Sequence, residues 1–139
     1  MAEELTLAEA GLRFEQLLFD TCVLIDELKR PTGRLGYVNR QQHATSVVAV
    51  WEFLHGAKGV LLSAHERHDR RAWLRDQEIV TLSLSPSGSA SFDALLETEG
   101  PPSIPDALLA AECLGLGIAI VTSNVRDFVT IEGLHYVPW

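Results

Sequence analysis

Asp20, Glu52, Asp106 and Asp127, with Asn124 beside the last of them, are the side chains whose types and settings could do chemistry together. Asp20 closes the apolar run LLFD, Glu52 sits inside VVAVWEFL, Asp106 opens the segment that begins at Pro105, and Asn124 and Asp127 follow IAIVT. Taken singly, most have an ordinary explanation. Asp20 could cap the next helix, and Asp106 and Asp127 could be first-turn acids favoured by a helix dipole. Glu52 is harder to dismiss, because a carboxylate amid Val, Trp, Phe and Leu is costly unless paired or metal-bound. Carboxylates that converge repel one another and need a cation or shared protons. A hard divalent ion, Mg²⁺ or Mn²⁺, held by a few carboxylates and water fits such a set, and no thiolate–imidazole set offers itself to zinc. The chemistry this arrangement serves is phosphodiester hydrolysis, in which the ion lowers the pKa of a bound water, orients it and stabilises charge on the phosphate.

The elements that must position these residues alternate between strand and helix. LLFD (17–20) reads as a buried strand, with VLIDELKR as the helix after it and Pro31-Thr32-Gly33 as a turn. A short helix is expected over 34–42. ATSVVAV (44–50) is β-branched and apolar, as a strand buried on both faces would be, with helix from Trp51. A long helix is expected over 58–77, because that stretch lacks Pro and is rich in Leu, Ala, Arg and Glu. IVTLSLS (79–85) reads as a strand, 86–91 as a Ser/Gly loop and 91–99 as a short helix. Residues 105–114 form the clearest helix, with Pro105 in its first turn and Gly115 and Gly117 at its end. IAIVT (118–122) is a strand, 125–128 a helical turn and LHYVPW a last strand. This alternation predicts an α/β domain whose parallel sheet is covered on both faces. Ligand sites in such folds lie outside the carboxyl ends of the strands, where the acids fall.

The length, 139 residues, suits one domain. A hydrophobic share of 47% is enough to build a core, which argues against disorder. The formal charge of −8 argues against holding nucleic acid by bulk charge, and leaves open a carboxylate-bound cation that meets the phosphate. No apolar run approaches the roughly 18 residues of a membrane span. The start, MAEELTLAEAGLRFEQ, has no basic region before an apolar one, so a cytoplasmic protein is expected. Cys22 and Cys113 form no CxxC and read as two small buried thiols.

LLFDTCVLID around Asp20, SVVAVWEFLHGA around Glu52, IPDALLAAECLGLGIAIVTSNVRDF from Ile104 to Phe128 and the closing GLHYVPW together resemble the PIN-domain ribonucleases, most closely VapC-like toxins of toxin–antitoxin pairs. The resemblance covers roughly 17–139 and leaves residues 1–16 as an N-terminal extension. It implies a three-layer α/β/α domain with a mainly parallel central sheet. By this resemblance Asp20 and Asp106 match the two acids most directly tied to Mg²⁺, and Glu52 matches the acid of the second helix. The fourth acid of the family belongs to Thr122–Phe128, where Asn124 stands in place of the Asp of many relatives. Asp127 then either supplies the charge or starts a helix. The resemblance further implies an Mg²⁺- or Mn²⁺-dependent endoribonuclease acting on RNA, inhibited by a cognate antitoxin protein and typically a homodimer.

Other features carry less. Arg67, Arg70, Arg71 and Arg75 interleave with Glu66, Asp69 and Asp76, as on an ordinary solvated helix face. His65 and His68 share a face with no third ligand near. Trp51, Trp73 and Trp139 are expected in the core or at a subunit contact. Gly115-x-Gly117 lacks the third glycine of a dinucleotide fingerprint. Two other readings compete with the nuclease. A haloacid-dehalogenase-like phosphatase would need an Asp where Cys22 stands. A non-catalytic PIN-like binding module would keep the fold and lose acids; Asn124 favours it, and Asp20, Glu52 and Asp106 oppose it.

Overall fold

The computed structural model describes residues 1–56 and 61–139. Its strands are β1 (Glu3–Glu4), β2 (Leu17–Phe19), β3 (His43–Ser46), β4 (Val80–Leu82), β5 (Ala119–Thr122) and β6 (His135–Pro138). The helices are α1 (Leu7–Arg13), α2 (Thr21–Lys29), α3 (Val47–His55), α4 (Ala64–Asp76), α5 (Pro86–Leu96) and α6 (Ile104–Leu116). The strands form one sheet in the order β1-β6-β5-β2-β3-β4, with every pairing parallel. Leu17, Leu18 and Phe19 of β2, and Ala119, Ile120 and Val121 of β5, are fully buried. Strands so apolar on both faces need helices on both, and the result is the expected three-layer α/β/α architecture. Among the described residues no helix is long and apolar enough to cross a membrane.

The chain winds outward from β2 in two directions, to β3 and β4 on one side and to β5 and β6 on the other. The crevice at the carboxyl ends of β2 and β5 is therefore a topological switch point, where open α/β sheets take ligands. Residues 1–16 supply the edge strand β1, in register Glu3↔His135 and Glu4↔Tyr136, and the helix α1. Leu5 and Ala10 of that segment are buried in the core.

Several local expectations are corrected. The run ATSVVAV is not one strand: β3 ends at Ser46, whose side chain accepts from the Val48 N–H and starts α3 at Val47. A cap and a helical spacing that buries Ala49 and Phe53 override the β preference of three valines. Residues 86–91 are not a loop. Ser85 accepts from the Gly88 N–H, Pro86 occupies the first turn, and α5 runs from there to Leu96. The helix expected over 34–42 is two 3₁₀ turns, Arg34–Tyr37 and Arg40–Gln42. The long helix begins at Ala64, where Ser63 and Glu66 form a capping box; the expectation for 58–60 lies outside the described residues. Gly115 is inside α6, and Gly117 (φ 66°) is the residue that ends it.

Candidate active site

Asp20 follows β2 and caps α2. Its Oδ1 accepts from the Thr21 N–H at 2.7 Å, and its Oδ2 accepts from the Thr122 hydroxyl at 2.7 Å. Thr122 ends β5, and its Oγ1 in turn accepts from the Asn124 N–H at 2.9 Å. Two neighbouring strands thus aim one carboxylate, and Asp20 as a residue is 7% exposed. Cys22, expected to be buried, is half-buried, with Sγ 3.6 Å from Asp20 Oδ2 and 3.6 Å from Thr122 Oγ1.

Glu52 lies within α3, which begins at Val47 and not at Trp51. Its half-buried carboxyl is pushed above the usual range, first by burial and then by the charges of Asp20 and Asp106. Asp106 is the third residue of α6. Ser103 caps that helix and donates its hydroxyl to Asp106 Oδ2 at 2.9 Å. Burial raises the Asp106 carboxyl against the opposing Ser103 hydrogen bond, and the charges of Asp127 and Asp20 add to the rise. Ser103, which fixes Asp106, was not singled out in the sequence; its place three residues before an acid at the head of the Pro105 helix is the signal that could have found it.

Asp20, Glu52, Asp106 and Asn124 line one cleft of about 360 Å³, with Thr21, Ile25 and Pro105 among its walls. Asp127 lines the adjoining cleft, which shares Ser103 and Asp106, and it accepts from the Asn124 side-chain amide. Distant stretches of chain therefore bring these five side chains to one region at the switch point. Among the described residues, no three His, Cys, Asp or Glu side chains are close enough to hold a single metal ion. Asp20, Asp106 and Asp127 each accept from a neighbouring donor. The Thr21 hydroxyl, buried in the cleft wall, has no hydrogen-bond partner among the described residues.

The electrostatics predict a sign for stability. A carboxyl whose folded pKa is raised contributes stability below its unfolded pKa and loses it as pH rises through the folded value. Glu52 is such a group. Glu52→Gln should therefore raise the melting midpoint of chelator-treated protein at neutral pH by a small amount, and the gain should vanish in acid. A lower midpoint in a thermal melt would make the Glu52 charge structural.

The sequence profile of the PIN domain matches residues 17–134. The chain belongs to the PIN domain family. The same PIN fold appears in the VapBC-1 structure from nontypeable Haemophilus influenzae, with a TM-score of 0.73 at 18% identity, covering 88% of this chain and 97% of that one. A chain of VapBC2 from Rickettsia felis, bound to a promoter DNA fragment, matches with a TM-score of 0.73 at 20% identity, covering 88% of this chain and 98% of that one. A toxin–antitoxin complex from Klebsiella pneumoniae gives 0.66 at 26% identity, over 86% and 94%. No curated protein matches the sequence. PIN domains are generally nucleases, and the acid-lined cleft lies at the carboxyl ends of the strands, where open parallel sheets take ligands.

Proposed function

We propose that this PIN domain is a divalent-metal-dependent endoribonuclease of the cytoplasm, the toxin of a toxin–antitoxin pair. The observation that carries the reading is the meeting of Asp20, Glu52 and Asp106, from three separate elements, in one cleft where their charges oppose one another. The donor set fits a hard cation, being carboxylate and amide oxygen with an unpartnered hydroxyl at its edge. Asp20, Glu52 and Asp106 would hold Mg²⁺ or Mn²⁺ with their side chains drawn closer than they stand here, and Asn124 and Asp127 lie beside them. When bound, the ion supplies Lewis-acid stabilisation of the phosphate and a more acidic water.

The chain's own residues do the positioning. Thr122 holds one oxygen of Asp20, and the backbone of Thr21 holds the other. Ser103 fixes Asp106 at the head of α6. Asn124, with no charge of its own, keeps Asp127 beside the cleft through its amide. Ile25 and Pro105 give the cleft an apolar wall. The matched VapBC structures and the Klebsiella toxin–antitoxin complex support a cognate antitoxin as partner. Exposed Val47 and Trp51, one turn apart on α3, offer apolar surface suited to a protein contact, the antitoxin or a second copy in a homodimer.

The test is cleavage of RNA by the purified chain with Mn²⁺ or Mg²⁺ against EDTA, together with metal-dependent melting. Cleavage at internal bonds is expected with metal and none with EDTA. At a metal concentration ~100 times Kd, binding should stabilise the fold by about 2.7 kcal/mol. Activity that persists in EDTA overturns the metal. The second reading, a non-catalytic PIN-like binding module, is favoured by Asn124 in place of a carboxylate; binding of RNA without cleavage under any metal would establish it.

A further inference from the structure

A second cleft, of about 440 Å³, adjoins the acid-lined one and shares Cys22 and Ile25 with it. Three of the chain's eleven Lys and Arg residues, Lys29, Arg30 and Arg34, line this cleft against one acid, Asp26. Such a concentration of positive charge stands out in a chain of formal charge −8. Cys22, Ile25, Asp26 and Lys29 recur at helical spacing, so one stripe of α2 leads from the acid centre to the cations. Cys22 to Lys29 is about 10 Å along that helix.

The cleft is preorganised. Arg34 lies over the Trp139 ring, 4.9 Å from its centroid, and Asp26 Oδ2 fixes that ring by accepting from the indole N–H at 3.1 Å. The turn that presents Arg34 is pinned by Glu27, a buried carboxylate with no part in the acid centre. Glu27 accepts from the Thr32 hydroxyl at 2.9 Å and from the Thr32 and Gly33 N–H groups at 3.2 and 3.3 Å. Lys29 and Arg30 are exposed at the end of α2. A guanidinium held over an indole offers a cationic, planar group of the kind that takes an unstacked base, and the neighbouring cations suit phosphates.

We infer that this cleft is the flanking-nucleotide subsite of the nuclease: single-stranded RNA leaves the acid centre over Cys22 and Ile25, lays phosphates against Lys29 and Arg30, and stacks a base on the Arg34–Trp139 pair. The inference rests on the nuclease reading above and deepens it. The acids at the centre repel a polyanion, so the affinity for its flanks has to come from the adjoining surface. An acidic protein segment would use the cations and leave the stacking plane and the shared wall without a purpose.

The test is fluorescence anisotropy of a labelled short single-stranded RNA with Mg²⁺, in the 139-residue chain carrying Asp20→Asn so that cleavage does not intrude. Arg34→Ala should weaken binding about tenfold, and Arg34→Lys, which keeps the charge and loses the plane, should stay weakened. Lys29→Ala with Arg30→Ala should flatten the slope of log K against log salt by about 1.4, two phosphates at about 0.7 each. Arg71→Ala with Arg75→Ala, on α4, should change neither quantity. In Mn²⁺ reactions of chains with intact Asp20, the cleft substitutions should raise KM and leave kcat nearly unchanged. Unaltered affinity and salt slope in the cleft variants overturn the proposal. So does tight binding of an Asp/Glu-rich peptide in place of RNA, abolished by the same substitutions. If the cleft variants lose RNA binding and the chain with intact Asp20 cuts nothing, the subsite stands and the nuclease reading fails.

Discussion

Asp20→Asn is expected to abolish RNA cleavage while the chain stays folded, a loss on the order of 10³-fold or more, equal to about 4 kcal/mol of transition-state stabilisation. The substitution separates chemistry from structure because Asp20 does both kinds of work. As the cap of α2 it accepts from the Thr21 N–H, and Asn caps a helix about as well as Asp. Its other oxygen accepts from Thr122, which an amide nitrogen cannot do. That hydroxyl must turn, at about 1 kcal/mol. Asp20→Ala loses the cap as well, a further ~1 kcal/mol. Initial rates with Mn²⁺ and thermal melts of both variants check the pair. Both should be inactive, and only the alanine variant should be clearly less stable. Cleavage by Asp20→Asn at near the unmodified rate would remove the carboxylate from the mechanism.

The acids were legible in the sequence because they interrupt apolar runs, and a buried parallel strand tolerates an acid only where the strand ends. LLFD shows this, and the structure pairs it as β2 with the apolar run IAIVT as β5, in register from Leu17↔Ala119 to Phe19↔Val121. Where reading failed, a single cap decided against composition. The three valines after Ser46 carry a strand-like composition, yet Ser46 satisfies the free N–H of Val48 and the next nine residues wind as α3. That error put Glu52 at the start of a helix, just after a strand ending at Val50, whereas α3 begins at Val47 and carries Glu52 in its body. Ser85 and Pro86 did the same for α5, where Ser and Gly looked like loop residues. The basic cleft was illegible for another reason. Lys29 and Arg30 end a helix, Arg34 sits on a turn and Trp139 is over a hundred residues away, so only the fold gathers them.

The glycines of α5 and α6 carry the largest expected effect on stability. Replacing a helical glycine by alanine ordinarily stabilises by up to about 1 kcal/mol. At Gly115 the sign should reverse. A Cβ there would lie 2.4 Å from the Gly88 nitrogen, 2.6 Å from its Cα and 2.8 Å from Ser85 Oγ, so the obstacle is chiefly backbone and cannot rotate away. Gly115→Ala should force the two helices apart and cost about 3 kcal/mol, roughly 10 °C in the melting midpoint. Gly88→Ala should cost less, because its closest neighbour is Leu84 Cδ1 at 2.9 Å, the end of a flexible side chain, with the Ala111 carbonyl at 3.1 Å. Denaturant and thermal unfolding of the two variants give the comparison. A Gly115→Ala chain as stable as the unmodified one would show that the crossing has slack. The consequence reaches the site, because α6 carries Asp106 in its first turn and the chain between α5 and α6 carries Ser103, which fixes it. Displacing that helix shifts one acid relative to Asp20, at the end of β2, and Glu52, on α3. Folded Gly115→Ala protein should therefore bind Mn²⁺ more weakly than the unmodified chain, although the substitution removes no group from the cleft.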